Sequence, residues 1–394
     1  MKSIKFSYLL DGFKLLVAKC LSLFMKLDKN NRDIWLIGER KNEAKDNGYH
    51  LFKYIRTNHP DKKIYYVIEK NSNDVEKLID LGNIIYYGTC KHYLYYIISN
   101  KIICAHNAST VPDRPIIWKA QEFGIIKKKK KIYIKHGIVK EEIPSLMHHI
   151  NGADLFICGA KPEYEFVKDK FGYPEGAVKY LGLCRFDNLH NNNVKKQILV
   201  MPTWRKWIGG STWHNGSLED NRKEFIKTDY FNKYNDLLNN IELNKILNEK
   251  NYKLIFYPHY EMSPYIDLFK TNSNNIIIAD KENYDVQQLL KESELLITDY
   301  SSVAFDFAYM RKLVIYYQFD QEMYYKNHYQ KGYFDYDSDG FGPVVIDVDE
   351  LVSVINNYTN RDIAINEYIN KSKNFFPIYD SNNCDRHYRA IQII

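Results

Sequence analysis

Short apolar runs recur along the chain, separated by longer polar stretches with helical spacing. In the first half they are IWLIG (34–38), KIYYVIE (63–69), NIIYYG (83–88), KIICAH (101–106), KIYIKHG (131–137) and DLFICGA (154–160). Short runs this rich in β-branched and aromatic residues read as strands covered on both faces. Their alternation with helix-length segments predicts a largely parallel α/β sheet. The stretch NLHNNNVKK (188–196) breaks the rhythm and predicts an interdomain linker. The pattern restarts in QILVMPTW (197–204), KLIFYPH (253–259), NIIIAD (275–280), ELLITDY (294–300) and LVIYYQ (313–318). The expected architecture is α/β, with two Rossmann-like domains facing a cleft, over residues 29–190 and 191–394. A helical tail at 362–376 is placed to pack across the linker.

Residues 1–28 stand apart. Leu9, Leu10, Phe13, Leu16, Val17, Leu21 and Phe24 fall near helical spacing, with Lys2, Lys5, Lys14, Lys19 and Lys26 interleaved. That pattern fits an amphipathic helix lying on a membrane surface, and equally a helix docked on its own domain. A secretory leader is disfavoured, because Asp11 and Lys14 interrupt the apolar stretch and no small-residue cleavage site follows. No run reaches the ~20 apolar residues needed to span a bilayer.

Composition narrows the classes. With 394 residues, 45% apolar and 26% charged, the chain is long enough for two folded domains and is not a disordered or fibrous sequence. The net charge of +6 favours an anionic partner, a phosphate-bearing substrate or a lipid surface. Six scattered cysteines without a CxxC point to a reduced compartment and suggest neither a disulfide framework nor a zinc site. The basic residues lack the aromatic or zinc-finger spacing of nucleic-acid modules. DYDSDG (335–340) begins like a calcium loop, but Ile346 stands at the twelfth position and Pro343 blocks an exit helix, so no metal or cofactor is expected. KKKKK (127–131) reads as a solvated turn before a strand, or as a contact for anionic headgroups.

Candidate chemistry collects where strands end. LLITDYSSVAFDFAYMRK (295–312) runs from a strand into a helix, with Thr298, Asp299, Ser301 and Ser302 at the junction. These residues suit a helix cap, and they equally suit a phosphate at the carboxyl edge of a sheet. His136 and Gly137 follow one strand and His259 another, while Arg205 closes PTWR just after the first strand of the second half. Histidine titrates near neutrality, so one could accept a proton while the other donates to a phosphate. Arginine's planar fork suits a pair of phosphate oxygens, although a surface ion pair is as good a reading of Arg205 alone.

KHG, GLCRFDNL, PTWR, YPH, TDYSSVAFDFA and HYQKGYFDYDSDGFGP occur in an order that resembles the CDP-glycerol glycerophosphotransferase family of teichoic acid and capsule enzymes, over about residues 130–345. The resemblance implies a GT-B-like pair of domains, a peripheral location on the cytoplasmic face of the membrane, and transfer of a polyol phosphate from CDP-glycerol or a related CDP-polyol. The acceptor would be a lipid-linked glycan or polyol-phosphate polymer, and CMP would be released. Carried over by motif, His136 would be the general base and His259 would stabilise the donor pyrophosphate. Asp299, Ser301 and Ser302 would lie at the nucleotide-diphosphate site with Arg205 nearby, and Arg185 and Asp187 would be structural. Two departures, Lys135 in place of an aromatic before HG and GIVKEEIP after it, bear on the acceptor and the polyol more than on the reaction class. The alternatives are a CDP-ribitol-using enzyme, a nucleotide-sugar glycosyltransferase of the same fold, and an idle scaffold; intact KHG, YPH and TDYSS disfavour the last.

Overall fold

The computed structural model describes residues 2–27, 33–106, 109–190, 193–208, 217–280, 282–327 and 331–394, with the side chains of residues 2–8 and 26–27 left undescribed. The chain divides into two units: Met1–Ile138, Ile143–Asn188 and Ile378–Ile394 form unit 1, and Val139–Glu142 with Leu189–Pro377 form unit 2.

Unit 1 holds β1 (Trp35–Gly38), β2 (Ile64–Ile68), β3 (Ile84–Tyr86), β4 (Lys101–Cys104), β5 (Lys130–Tyr133), β6 (Leu155–Cys158) and β7 (Val178–Tyr180) in one seven-stranded sheet of order β3-β2-β1-β4-β5-β6-β7. Every pairing is parallel. The period of two along β1 explains why the run is apolar throughout. Trp35 and Ile37 pack on one face with Leu51, Phe52 and Ile55 of the helix Asn47–Asn58, while Leu36 packs on the other with Tyr93, Tyr96 and Ile97 of the helix Cys90–Ile98.

Unit 2 holds β8 (Gln197–Met201), β9 (Lys253–Phe256), β10 (Ile276–Ile278), β11 (Leu295–Thr298), β12 (Leu313–Tyr317) and β13 (Val344–Val345), all parallel, in the order β10-β9-β8-β11-β12-β13. The two sheets share a Rossmann-type order, so β1 corresponds to β8, β4 to β11 and β5 to β12. The apolar runs read from the sequence each contain a strand. The two strands they omit, β7 and β13, are short edge strands without a long apolar run around them, Lys179 interrupting one and Pro343 preceding the other.

The second expected domain differs at its end, because Ile378–Ile394 joins unit 1. The helix Asn383–Gln392 puts Tyr388 and Ile391 into the unit 1 core, and Asp187 accepts the backbone N–H groups of Asn383 and Cys384. The tail at 362–376 forms the helix Asn366–Phe375 within unit 2, where Phe375 stacks on Phe305 and Ser372 accepts from Arg311.

The N-terminal helix Lys2–Leu27 packs along the helix Cys90–Ile98 and buries Ala18 and Ser22. Its other side leaves Leu9, Phe13, Leu16, Leu23 and Phe24 exposed, so it is docked and still presents an apolar face. Among the described residues no helix is long and apolar enough to cross a membrane.

Candidate active site

In a sheet of this order the chain leaves the central strands in opposite directions, and the crevice for a ligand opens at the carboxyl ends between them. In unit 2 that switch point lies between β8 and β11. PTWR leaves β8 and DYSS leaves β11, with His259 beyond β9 on one side and Asp320 beyond β12 on the other. The fold therefore gathers PTWR, YPH and TDYSS on one edge of one sheet.

Their roles within that edge divide. Asp299, fully buried, accepts the Thr203 backbone N–H at 2.9 and 3.1 Å, the Tyr300 N–H at 2.5 Å and Arg205 Nη1 at 2.9 Å. Arg205 also donates from Nε and Nη2 to Asp320 at 2.6 and 3.0 Å, and from Nη1 to the Thr203 carbonyl at 2.7 Å. Its guanidinium lies 5.0 Å from the Tyr300 ring, which stacks on Tyr324. Burial disfavours the charge, but Asp299 and Asp320 more than offset it and hold the Arg205 pKa well above its ordinary value. Arg205, expected to face a donor phosphate, has no exposed surface here and spends its fork on two carboxylates, tying the β8, β11 and β12 turns together. Thr298 is likewise inward, its hydroxyl donating to the Met201 carbonyl at 2.6 Å.

Ser301, Ser302, His259 and Trp204 are half-buried and keep some exposed surface. Ser302 occupies the N-cap of the helix Val303–Tyr309, but its hydroxyl makes no cap bond, and Ser301 Oγ accepts only a long 3.4 Å contact from Val303 N–H. His259 accepts the Glu261 N–H on Nδ1 at 3.3 Å, which leaves Nε2 to carry the ring proton and donate. Trp204 stacks beside it, with centroids 6.3 Å apart.

In unit 1, His136 follows β5 and its ring is exposed, while Gly137 beside it is buried in the bend. The residue before it, Lys135, has φ of 55°, a left-handed turn that swings the chain out of the strand. That conformation is held from beneath: the buried Lys135 Nζ pairs with Glu163, whose other oxygen accepts the Gly159 N–H at 2.7 Å. Asn47 donates to the Lys135 carbonyl at 3.0 Å, and Arg185, anchored on Asp46, donates to the His136 carbonyl at 2.6 Å. His136 keeps exposed surface, but the protein packed around its ring removes enough water to lower its pKa, with Asp46 opposing and Arg185, Arg40 and Lys135 assisting. An imidazole that stays unprotonated near neutral pH is in the form needed to accept a proton.

Two unit 1 residues absent from the candidate set lie close by. His106 follows β4 and stacks on His136, centroids 4.3 Å apart and planes within 12°. It ends KIICAH as His136 ends YIKH, so strand-end position alone would find it; it lacks the flanking glycine or proline that marks the others. Glu39 follows β1, buried, and accepts backbone N–H groups from Lys45, Asp46 and Tyr49 at 2.9, 2.9 and 2.7 Å. A carboxyl group of the protein thus fills the amide cradle where a Rossmann turn would hold phosphate.

No group of side chains suited to a metal occurs among the described residues. In DYDSDG, Asp335 accepts from the backbone of Asp337 and Ser338 and pairs with Lys331, the work of a self-capped turn. In the lysine run, Lys129 caps the carbonyls of Ile97 and Ser99, and Lys130 pairs with Asp154.

Two parallel-sheet units with polar clusters on their strand carboxyl edges define a GT-B-like protein. The chain belongs to the CDP-Glycerol:Poly(glycerophosphate) glycerophosphotransferase family, whose sequence profile matches residues 19–392. It is 33% identical over 365 residues to the minor teichoic acid biosynthesis protein GgaB of Bacillus subtilis, covering 92% of this chain and 40% of that protein. It is 24% identical over 361 residues to the teichoic acid poly(glycerol phosphate) polymerase of the same organism, covering 84% of this chain and 43% of the relative. The chain thus spans about two fifths of the length of these curated relatives. Among solved structures, the wall teichoic acid polymerase TagF superposes with a TM-score of 0.68 at 18% identity, covering 100% of this chain and 97% of that one. A UDP-N-acetylglucosamine 2-epimerase superposes at 0.56 and 10% identity, covering 92% and 95%. At those identities the likeness is one of fold.

Proposed function

We propose that the protein transfers glycerol phosphate from CDP-glycerol to a hydroxyl of a lipid-linked or polymer acceptor, releasing CMP, in teichoic acid or capsular polymer synthesis. The observation that carries this reading is the family match across residues 19–392. The acceptor oxygen attacks the donor's β-phosphorus as the bond to CMP breaks, and His136 takes the hydroxyl proton. The Nε2–H of His259 and the hydroxyls of Ser301 and Ser302 meet the donor phosphates, on a turn that Asp299, Arg205 and Thr298 hold in shape. Donors fixed in place before the reaction stabilise developing phosphate charge without reorganising.

The exposed apolar face of the N-terminal helix supports attachment to the cytoplasmic surface of the membrane. Trp118, Phe123 and Ile125, exposed beside a helix it touches, would extend that face. The test of the reaction is CMP release from CDP-glycerol with a lipid-linked acceptor, with phosphorus NMR of the product. A new phosphodiester signal is expected; a new glycosidic carbon and a released nucleoside diphosphate would replace this reading with sugar transfer.

A further inference from the structure

We propose that His106 is a positioning residue for this reaction: its imidazole, lying flat against His136, fixes the ring plane from which His136 takes the acceptor's proton. The inference rests on the reading of His136 as the base.

The backbone at His136 is already immobilised by Arg185, Asn47 and the Lys135 turn. What those contacts leave loose is the side chain, since the ring is exposed and the χ2 of histidine is a broad, soft torsion. The stack on His106 supplies the missing restraint. β4 and β5 are adjacent and in register, Cys104 opposite Tyr133, so residues a few positions past each strand are carried to the same edge. The parallel rings 4.3 Å apart follow from that register.

Charge decides which ring can carry the proton. Two stacked imidazolium ions would repel, so the pair holds one proton at most. His106 is pushed down to about 3, first by burial, then by His136 and Arg40, against Asp46. The groups facing the pair are Arg40 and Asp46 from the segment after β1, Lys135 from the end of β5, and Arg185 from the turn Cys184–Asn188. His106 therefore stays neutral while His136 protonates. As the acceptor O–H bond breaks, the new imidazolium forms against a neutral ring face, which stabilises a cation, and its proton later passes to water.

The test measures CMP release by the full chain, with CDP-glycerol and a lipid-linked glycerol-phosphate acceptor, across pH 5–9. His106→Ala is expected to lower kcat about tenfold with donor KM within about twofold, and to move the acid limb to higher pH as water reaches His136. His106→Phe, which restores a flat face without a titratable group, is expected to recover most of kcat. If the alanine variant does not fold, His106→Leu fills the site without an aromatic face and carries the same expected loss. Unchanged kcat and acid limb in His106→Ala, with His136→Ala inactive, would overturn the inference and leave the base reading standing. So would a phenylalanine variant as impaired as the alanine one. Full turnover in His136→Ala would instead remove the base reading itself.

Discussion

Arg205 offers the sharpest test of how the donor edge is built. Its guanidinium is buried between Asp299 and Asp320, and Arg205→Met removes the only cation the structure places between those two carboxylates among the described residues. Removing one member of a buried ion pair typically costs about 3–5 kcal/mol, because the partner charge is left uncompensated in the interior. Here two partners are stranded, which puts the expected loss at the upper end. For a unit the size of Leu189–Pro377, each kcal/mol corresponds to about 2–4 °C in melting temperature, so the unit 2 transition should fall by roughly 10–20 °C. Arg205→Lys keeps the charge but cannot reproduce the fork that reaches both Asp320 oxygens, and should fall by about half as much.

Calorimetry on the full chain is the suitable assay, since two units need not unfold in one step. CDP-glycerol binding should be measured alongside. If Arg205→Met melts where the wild type does and loses only donor affinity, the guanidinium is a direct phosphate ligand and the buried-network account is refuted. If both fall together and added donor fails to restore the melt, the network account stands.

Three further perturbations address other parts of the molecule. Glu39 is pushed up to about 8 by burial and then by Asp46, against its three backbone N–H donors, so the folded state keeps a proton that the unfolded chain, with an ordinary value of 4.5, has released. Unit 1 should therefore lose stability as pH rises from about 4.5 to 8, and Glu39→Gln should flatten the difference between melts at pH 5.5 and 8; identical slopes in the two proteins would refute this. Lys135→Met strands Glu163 in the core and should lower the unit 1 melt by about 3–5 kcal/mol equivalent, with kcat falling as the His136 turn relaxes; a wild-type melt in calorimetry would count against the buried pair. Phe13→Asp places a charge in the middle of the exposed apolar face and should cut sedimentation with anionic vesicles several-fold while leaving the melt unchanged, whereas undiminished sedimentation would exclude that face as the contact.

The sheets were legible because parallel strands buried on both faces are apolar over consecutive positions, and the cores of runs such as KIICAH and ELLITDY show that without help from their surroundings. The short edge strands VKY and VV have no long apolar run around them, and a C-terminal amphipathic helix has nothing local to say which unit it will join. Strand-end position singled out His136, His259 and the TDYSS turn, and the structure puts each just past the end of a strand. Position alone did not distinguish a side chain facing outward from one facing inward, which is why Arg205 and Thr298 look like ligands in sequence and are braces in the fold. Asp320 and Asp46 were out of reach for a related reason: each matters through a partner more than a hundred residues away, Arg205 in one case and Arg185 in the other.

The corresponding positions of the two sheets explain how one topology supports two roles. At the end of β1, the amides that open the helix Asn47–Asn58 already receive an acceptor, the Glu39 carboxyl group, and Gly48 leaves it room: a Cβ there would lie 2.8 Å from Glu39 Cγ. A pyrophosphate brought to that turn would meet an occupied cradle. At the end of β8, the corresponding turn is secured from the side, by Asp299 reaching across from β11 to the Thr203 amide, and the serines beyond Asp299 are left with little intramolecular work. Self-filling in unit 1 and lateral bracing in unit 2 thus leave the turn at the end of β11 as the less occupied of the two, which is the support for placing the proposed CDP donor there. The first sheet keeps an edge where two stacked imidazoles, His106 and His136, stand clear of that filled cradle, the arrangement that the proposed role of His136 as base requires.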